Sequence, residues 1–123
     1  MGKGGEGRDN HIRFYCFLAG LIPGKVQNLK STPDTRQAYV TLNWDKPDNF
    51  KAAGDVTMYD IRFKTYGWDL EDYSRVSVKA SETSVLLTRQ SGLKSLTKYK
   101  FEVRARNDGH EGRWSSISDY SGM

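Results

Sequence analysis

Between residues 93 and 107 the chain reads LKSLTKYKFEVRARN, and this stretch limits what the protein can fold into more than any other. Tyr99, Phe101, Val103 and Ala105 are apolar at every second position, with Lys98, Lys100, Glu102, Arg104 and Arg106 between them. That is the period of a β-strand with one face in a core and the other in water. Upstream, Leu93, Thr97 and Tyr99 have the spacing of a corner. In such a corner the tyrosine ring joins the core and its hydroxyl bonds back to backbone a few residues earlier. Corners of this kind belong to β-sandwiches.

The rest of the chain repeats the pattern. Residues 25–30 read as a first strand with Val26 and Leu29 as apolar contacts, and residues 32–35 as a turn. Ala38, Val40, Leu42 and Trp44 alternate with polar neighbours as a second strand with its bulky end at Trp44. A third run places Tyr59, Ile61 and Phe63 against Asp60, Arg62 and Lys64. Val76 and Val78 mark a short edge strand whose other face, Arg75, Ser77 and Lys79, discourages edge-to-edge pairing. Val85 and Leu87 mark a fifth strand, and residues 113–118 the last. Seven short strands with regular turn signals and no helical periodicity predict an all-β, two-sheet antiparallel β-sandwich.

These residues resemble the fibronectin type III family. Leu42, Trp44 and Pro47 match its L-x-W-x-x-P pattern, and Tyr59, Ile61 and Phe63 its Y-x-V-x-Y strand. Leu93, Thr97 and Tyr99 match its L-x-P-x-T-x-Y corner, followed by Ala105, Asn107, Gly109 and Gly112. The resemblance covers residues 23–120 and implies immunoglobulin-like topology. Ser95 stands where the corner usually has proline, and Leu96 where a small residue is common. The domain is expected over residues 23–121, with residues 1–22 as a flexible N-terminal tail or leader remnant. Within that tail, residues 14–22 form an apolar run behind Lys3, Arg8 and Arg13. The run lacks a small-x-small cleavage site and is too short for a membrane span.

Composition excludes several classes. The 123 residues accommodate one domain of ordinary size, and 37% apolar residues with seven Tyr, five Phe and three Trp supply a core without disorder. Cys16 is the only cysteine, so no internal disulfide forms, which agrees with the family resemblance. None of the five asparagines begins a glycosylation sequon. The net charge of +4 mixes 19 basic with 15 acidic residues, which favours solubility and does not announce a nucleic-acid binder.

Catalysis needs a nucleophile with a base, paired carboxylates or a metal cluster in one pocket. His11 falls in the tail and His110 in a glycine turn, Cys16 lacks zinc-ligand spacing, and Gly109 and Gly112 join strands without a phosphate-loop context. Asp69, Glu71 and Asp72 do not match a calcium loop. The expectation is therefore no enzyme, no cofactor and no metal. The resemblance implies a protein-interaction or spacer module, expected as a monomer, of a larger cell-surface or extracellular protein. Its partners would be a protein ligand or neighbouring domains.

The binding candidates are the turn residues Asn107, Asp108, Gly109, His110 and Glu111, the loop aromatic Trp68, and an outer-face group of Arg104, Arg106 and Trp114. The WSSIS run from Trp114 resembles the Trp-Ser-x-Trp-Ser box of class I cytokine receptors, with Ile117 in place of the second tryptophan. If Ile117 faces the core, Trp114 can lie over the guanidinium groups of Arg104 and Arg106. A basic stripe of Arg62, Lys64, Lys100, Arg104 and Arg106, interrupted by Asp60 and Glu102, is either a solvated sheet face with cross-strand pairs or a site for heparin-like polyanions. A spacer in an intracellular filament protein or in a polysaccharide-degrading enzyme fits the same residues.

Overall fold

The structure is a computed structural model that describes residues 22–48, 56–66 and 73–122. Seven strands follow one another: β1 (Gln27–Pro33), β2 (Val40–Asp45), β3 (Met58–Thr65), β4 (Ser74–Lys79), β5 (Ser84–Leu87), β6 (Lys98–Arg106) and β7 (Ser115–Tyr120). They form two antiparallel sheets, a three-stranded one in the order β1-β2-β5 and a four-stranded one in the order β4-β3-β6-β7. The inward residues of β2, β3 and β6 meet between the sheets. Val40, Leu42, Tyr59, Phe101 and Val103 are all fully buried there, and Trp44 sets its ring edge-on to Tyr59 at 5.3 Å. At the other end of the core, Phe63 packs against both Tyr99 and Phe101 at 5.8 Å. Offset and edge-on geometries of this kind add to the burial of large rings.

The first strand differs from its expected bounds. It runs on through Thr32 and Pro33, which pair with Thr41 and Val40. A proline is tolerated there because β1 is an edge strand, where a missing N–H breaks no ladder on the open side. The turn lies just beyond, where Asp34 Oδ1 accepts from the backbone N–H of Arg36 and Gln37. Near its start β1 carries a bulge between Gln27 and Lys30, with Asn28 at φ 53°, a left-handed conformation that asparagine adopts more readily than most residues. The last strand is also shifted, to Ser115–Tyr120, so that Trp114 precedes it.

The tyrosine corner forms as its spacing predicts: the Tyr99 hydroxyl accepts from the Lys94 backbone N–H at 2.9 Å. The corner is held a second time from the far end of the chain. Ser121 N donates to Thr97 O, Thr97 N donates to Ser121 Oγ, Ser121 Oγ donates to Lys94 O, and Leu96 N donates to Gly122 O. Leu96, which occupies a position where small residues are common, has φ 50° and is 66% exposed. A single turn of 3-10 helix, Arg89–Ser91, leads into the corner. It is capped by Thr88 and closed by Gly92 at φ 118°.

The loops between β2 and β3, β4 and β5, and β6 and β7 gather at one pole. Ala80 N donates to Thr57 O, and Thr57 N donates to Arg106 O. Gly112 lies at this pole against the chain's entry into the fold, where an added Cβ would meet Pro23 O at 2.6 Å and Ala105 O at 3.0 Å. Removing the corner hydroxyl tests its share of the fold. Tyr99→Phe is expected to lower stability by about 1 kcal/mol, read from the urea midpoint at unchanged m.

Candidate functional site

The outer face of the four-stranded sheet collects most of the candidate residues, and its arrangement follows from register. Asp60 stands opposite Arg104, Arg62 opposite Glu102, and Lys64 opposite Lys100 across β3 and β6. Asp60 takes Arg104 Nε at 3.0 Å on one oxygen and Arg106 Nε at 2.9 Å on the other, and Ser77 Oγ also donates to it. Glu102 takes Arg62 Nε at 2.8 Å on Oε1 and the Ser116 hydroxyl at 2.9 Å on Oε2, with Lys100 Nζ at 4.0 Å. Both carboxylates are shielded: the Asp60 side chain is 14% exposed and that of Glu102 7%.

Burial alone would raise the Asp60 carboxyl, but hydrogen bonds from Arg106, Arg104 and Ser77 outweigh it and hold the group below its ordinary value. Glu102 behaves in the same way: burial raises it, and the bonds from Arg62 and Ser116, helped by the charges of Arg62 and Lys100, bring it below the usual range. The upper part of the expected basic stripe is therefore an ion-pair network, the solvated-face alternative with cross-strand pairs.

The Arg–Trp stack has one partner more and one fewer than the sequence suggests. Trp114 lies over Arg104, with Cζ 4.3 Å from the ring centroid, and over Arg62 at 4.0 Å. Arg62 packs in addition on Tyr73 at 4.2 Å. Arg106, the expected second partner, turns its guanidinium to Asp60 instead. Ile117 pairs with Phe101 and packs on the core, which leaves the Trp114 indole on the outer side. The sequence offers Arg62 only as part of the basic stripe, not as a partner of Trp114, and it does not single out Tyr73. The only signal that could have found Arg62 is the register that sets β3 beside β6.

The turn candidates form a compact loop. Asn107 N donates to His110 O, and Asn107 Oδ1 accepts from the backbone N–H of Gly109 and His110 at 3.0 and 2.7 Å. Arg106 and Glu111 form a bridge, and Glu111 Oε2 lies 3.2 Å from Arg104. The side chains of Asp108 and Glu111 face solvent on this fixed backbone. Register thus joins the turn to the stack through Arg104 and Arg106. Trp68 lies outside the described residues, as do Cys16, His11 and the acidic group of Asp69, Glu71 and Asp72. Among the described residues, no group of three or more His, Cys, Asp or Glu is placed to hold a metal ion.

A family model described as "Fibronectin type III domain" matches residues 24–120. Ephrin type-A receptor 8 of Mus musculus and of Homo sapiens are each 32% identical to the chain over 83 residues, which are 68% of this chain and 8% of the receptor. The chain thus spans less than a tenth of the length of these relatives. Among solved structures, the rat CD45 extracellular region, domains d3-d4, superposes with a TM-score of 0.62 at 20% identity, covering 81% of this chain and 50% of that one. The chicken CNTN1 FN1-FN3 domains give 0.66 at 21% identity, covering 80% and 30%. At such identities the two structures speak for the fold alone.

Two outcomes are expected of this face. Because both carboxyls lie lower in the folded chain than in the unfolded one, their stabilisation is complete above the unfolded pKa. It is lost as pH falls through the folded value. The urea midpoint should therefore drop below about pH 4, and Asp60→Asn should both lower it at pH 7 and flatten that acid limb. Trp114→Ala should cost about 1 kcal/mol or more from lost stacking and burial, and an unchanged unfolding midpoint would refute the stack's contribution.

Proposed function

The chain belongs to the fibronectin type III family, and from that premise we propose that it is a non-catalytic interaction module of a larger receptor or adhesion protein, at the cell surface or outside the cell. The observation that carries this reading is the β6–β7 loop. Its backbone is fixed by Asn107 and by the bridge between Arg106 and Glu111, and it presents exposed side chains at a pole shared with two other loops. A loop ordered before contact loses little freedom when it binds, and loops on a rigid sandwich can vary without disturbing the core. Its contacts would be Asn107 to Glu111, and its partner a protein ligand or an adjoining domain of the parent chain. The domain unit in this reading is residues 23–121. The likeness to ephrin type-A receptor 8 supports the receptor class.

A second reading, a cytokine-receptor-like ligand-binding module, is favoured by the packing of Arg62 and Arg104 on Trp114. In that reading the stack stiffens the sheet and the loops still make the contacts.

The test is capture from a biotinylated cell-surface extract by the immobilised chain, repeated with residues 108–111 replaced by Gly and Ser. Asn107 and Gly112 are kept because they hold the turn. A partner retained by the native chain and lost by the variant, at matched unfolding midpoints, supports recognition through the loop. Equal capture moves recognition elsewhere, and no capture by a folded chain makes spacer the better description.

A further inference from the structure

Each of the two sheets ends in a pair of edge strands, β1 and β5 in one and β4 and β7 in the other. Three of these edges are guarded. β1 carries its bulge and Pro33, and the hydrogen bond from Ser31 to Asp119 ties it to β7 of the other sheet. On the opposite side of the sandwich, β4 exposes Arg75 and Lys79, charges that oppose pairing with a further strand. β5 has none of these guards. From Thr83 to Thr88 the chain reads TSVLLT, without charge, proline or bulge, and Leu86 is 53% exposed.

The ladder with β2 fixes which way the β5 backbone points. Trp44 N donates to Thr83 O, and Leu42 and Val40 stand opposite Val85 and Leu87. Thr83, Val85 and Leu87 therefore turn their backbone groups to β2. Antiparallel pairing alternates, so the N–H and C=O groups of Ser84 and Leu86 point to the open side. Among the described residues, no strand pairs with them there.

We propose that β5 is a self-association edge, at which two copies of this chain pair antiparallel about a two-fold axis at Val85 and join two three-stranded sheets into one. The pattern is self-complementary. With Val85 opposite its counterpart, Ser84 of each copy faces Leu86 of the other, and every outward N–H and C=O of these residues finds a partner. The two Leu86 side chains become diagonal neighbours at about 7–8 Å, within reach of one another. Charge selects the orientation. Glu82 stands before the strand and Arg89 after it, both exposed and neither in an ion pair among the described residues. Antiparallel pairing brings Glu82 of each copy towards Arg89 of the other, whereas parallel pairing would set like charges together. A second copy supplies both halves of this match. The ladder is short, so the association is weak, and the monomer that the sequence suggests is the dilute form. The loop replacement described above leaves β5 intact, so this proposal and that reading stand or fall separately.

The experiment is sedimentation velocity of the full chain from about 5 μM to about 1 mM, in reductant so that Cys16 cannot bridge two copies. The sedimentation coefficient should rise to that of a dimer and no further, because two-fold pairing consumes the edge. Leu86→Lys places on β5 the kind of guard that β4 carries, and should weaken association about tenfold or more. Ser84→Pro removes an outward N–H and no bond to β2, and should do the same. Thr32→Lys adds the same charge to the far edge strand of the same sheet and should stay within about twofold of the native chain. The amide protons of Ser84 and Leu86 should exchange with solvent about tenfold more slowly, or slower still, in the concentrated chain than in the dilute one. The proposal is overturned by a chain that stays monomeric at about 1 mM, by growth beyond the dimer, or by equal weakening in Thr32→Lys. Association that leaves those amides unprotected overturns it by placing the contact elsewhere. Protection already complete in the dilute monomer overturns it too, since a segment of the same chain would then cover the edge. Matched urea midpoints for all four chains exclude misfolding as the cause of a loss.

Discussion

The register between β3 and β6 is the constraint on which the rest of the structure depends. It sets Tyr59 against Ala105, Ile61 against Val103 and Phe63 against Phe101 on the inner face. In the same stroke it sets Asp60, Arg62 and Lys64 against Arg104, Glu102 and Lys100 on the outer one. Because successive side chains point to opposite faces, a slip of one residue would bring the charges into the core and put the rings into water. The apolar side of this choice drives it: burying three pairs of apolar side chains, Tyr59, Ile61 and Phe63 among them, outweighs anything that surface ion pairs contribute. The charge map outside is thus inherited from the packing inside, including its awkward part, two lysines face to face.

Inherited charge explains how unlike the two ends of this face are. Where the register brings a carboxylate beside arginines, the guanidinium forks fill both its oxygens and the group stays ionised despite burial. Where it brings lysine beside lysine, tyrosines at the strand ends take over the holding. Trp114 reaches across β6 to Arg62 and ties the last strand to the third. In this chain the tryptophan braces the sheet, and the loop residues are the ones turned towards solvent.

Much of this was legible in the sequence. Alternation in residues 99–105 and 59–63 predicted the strands and their inner faces, and the spacing of Leu93, Thr97 and Tyr99 predicted the corner and its hydroxyl bond. What stayed hidden is what depends on pairing between distant strands. Arg62 cannot be seen as a partner of Trp114 until β3 lies beside β6, and Arg106 looks available until Asp60 is placed next to it. The extension of β1 through Pro33 has no signature in the sequence, because proline reads as a turn unless the strand is known to be an edge. The grip of Ser121 and Gly122 on the corner had no signal in the sequence, since serine and glycine at the end of a domain ordinarily suggest a linker. That grip stands where the corner, with Ser95, lacks the proline usual at this position.

The chain enters the fold beside Gly112 at the loop pole and ends its described course at the corner, against Leu96. Between these ends β1 and β7 run side by side in the same direction from different sheets. They are linked by Ser115 Oγ donating to Val26 O and Ser31 Oγ donating to Asp119 Oδ2. A pull on the two ends would thus load these strands lengthwise, in shear, with the links and the packing beneath them strained together. Peeling, which breaks contacts one after another, would need the ends to leave from the same pole.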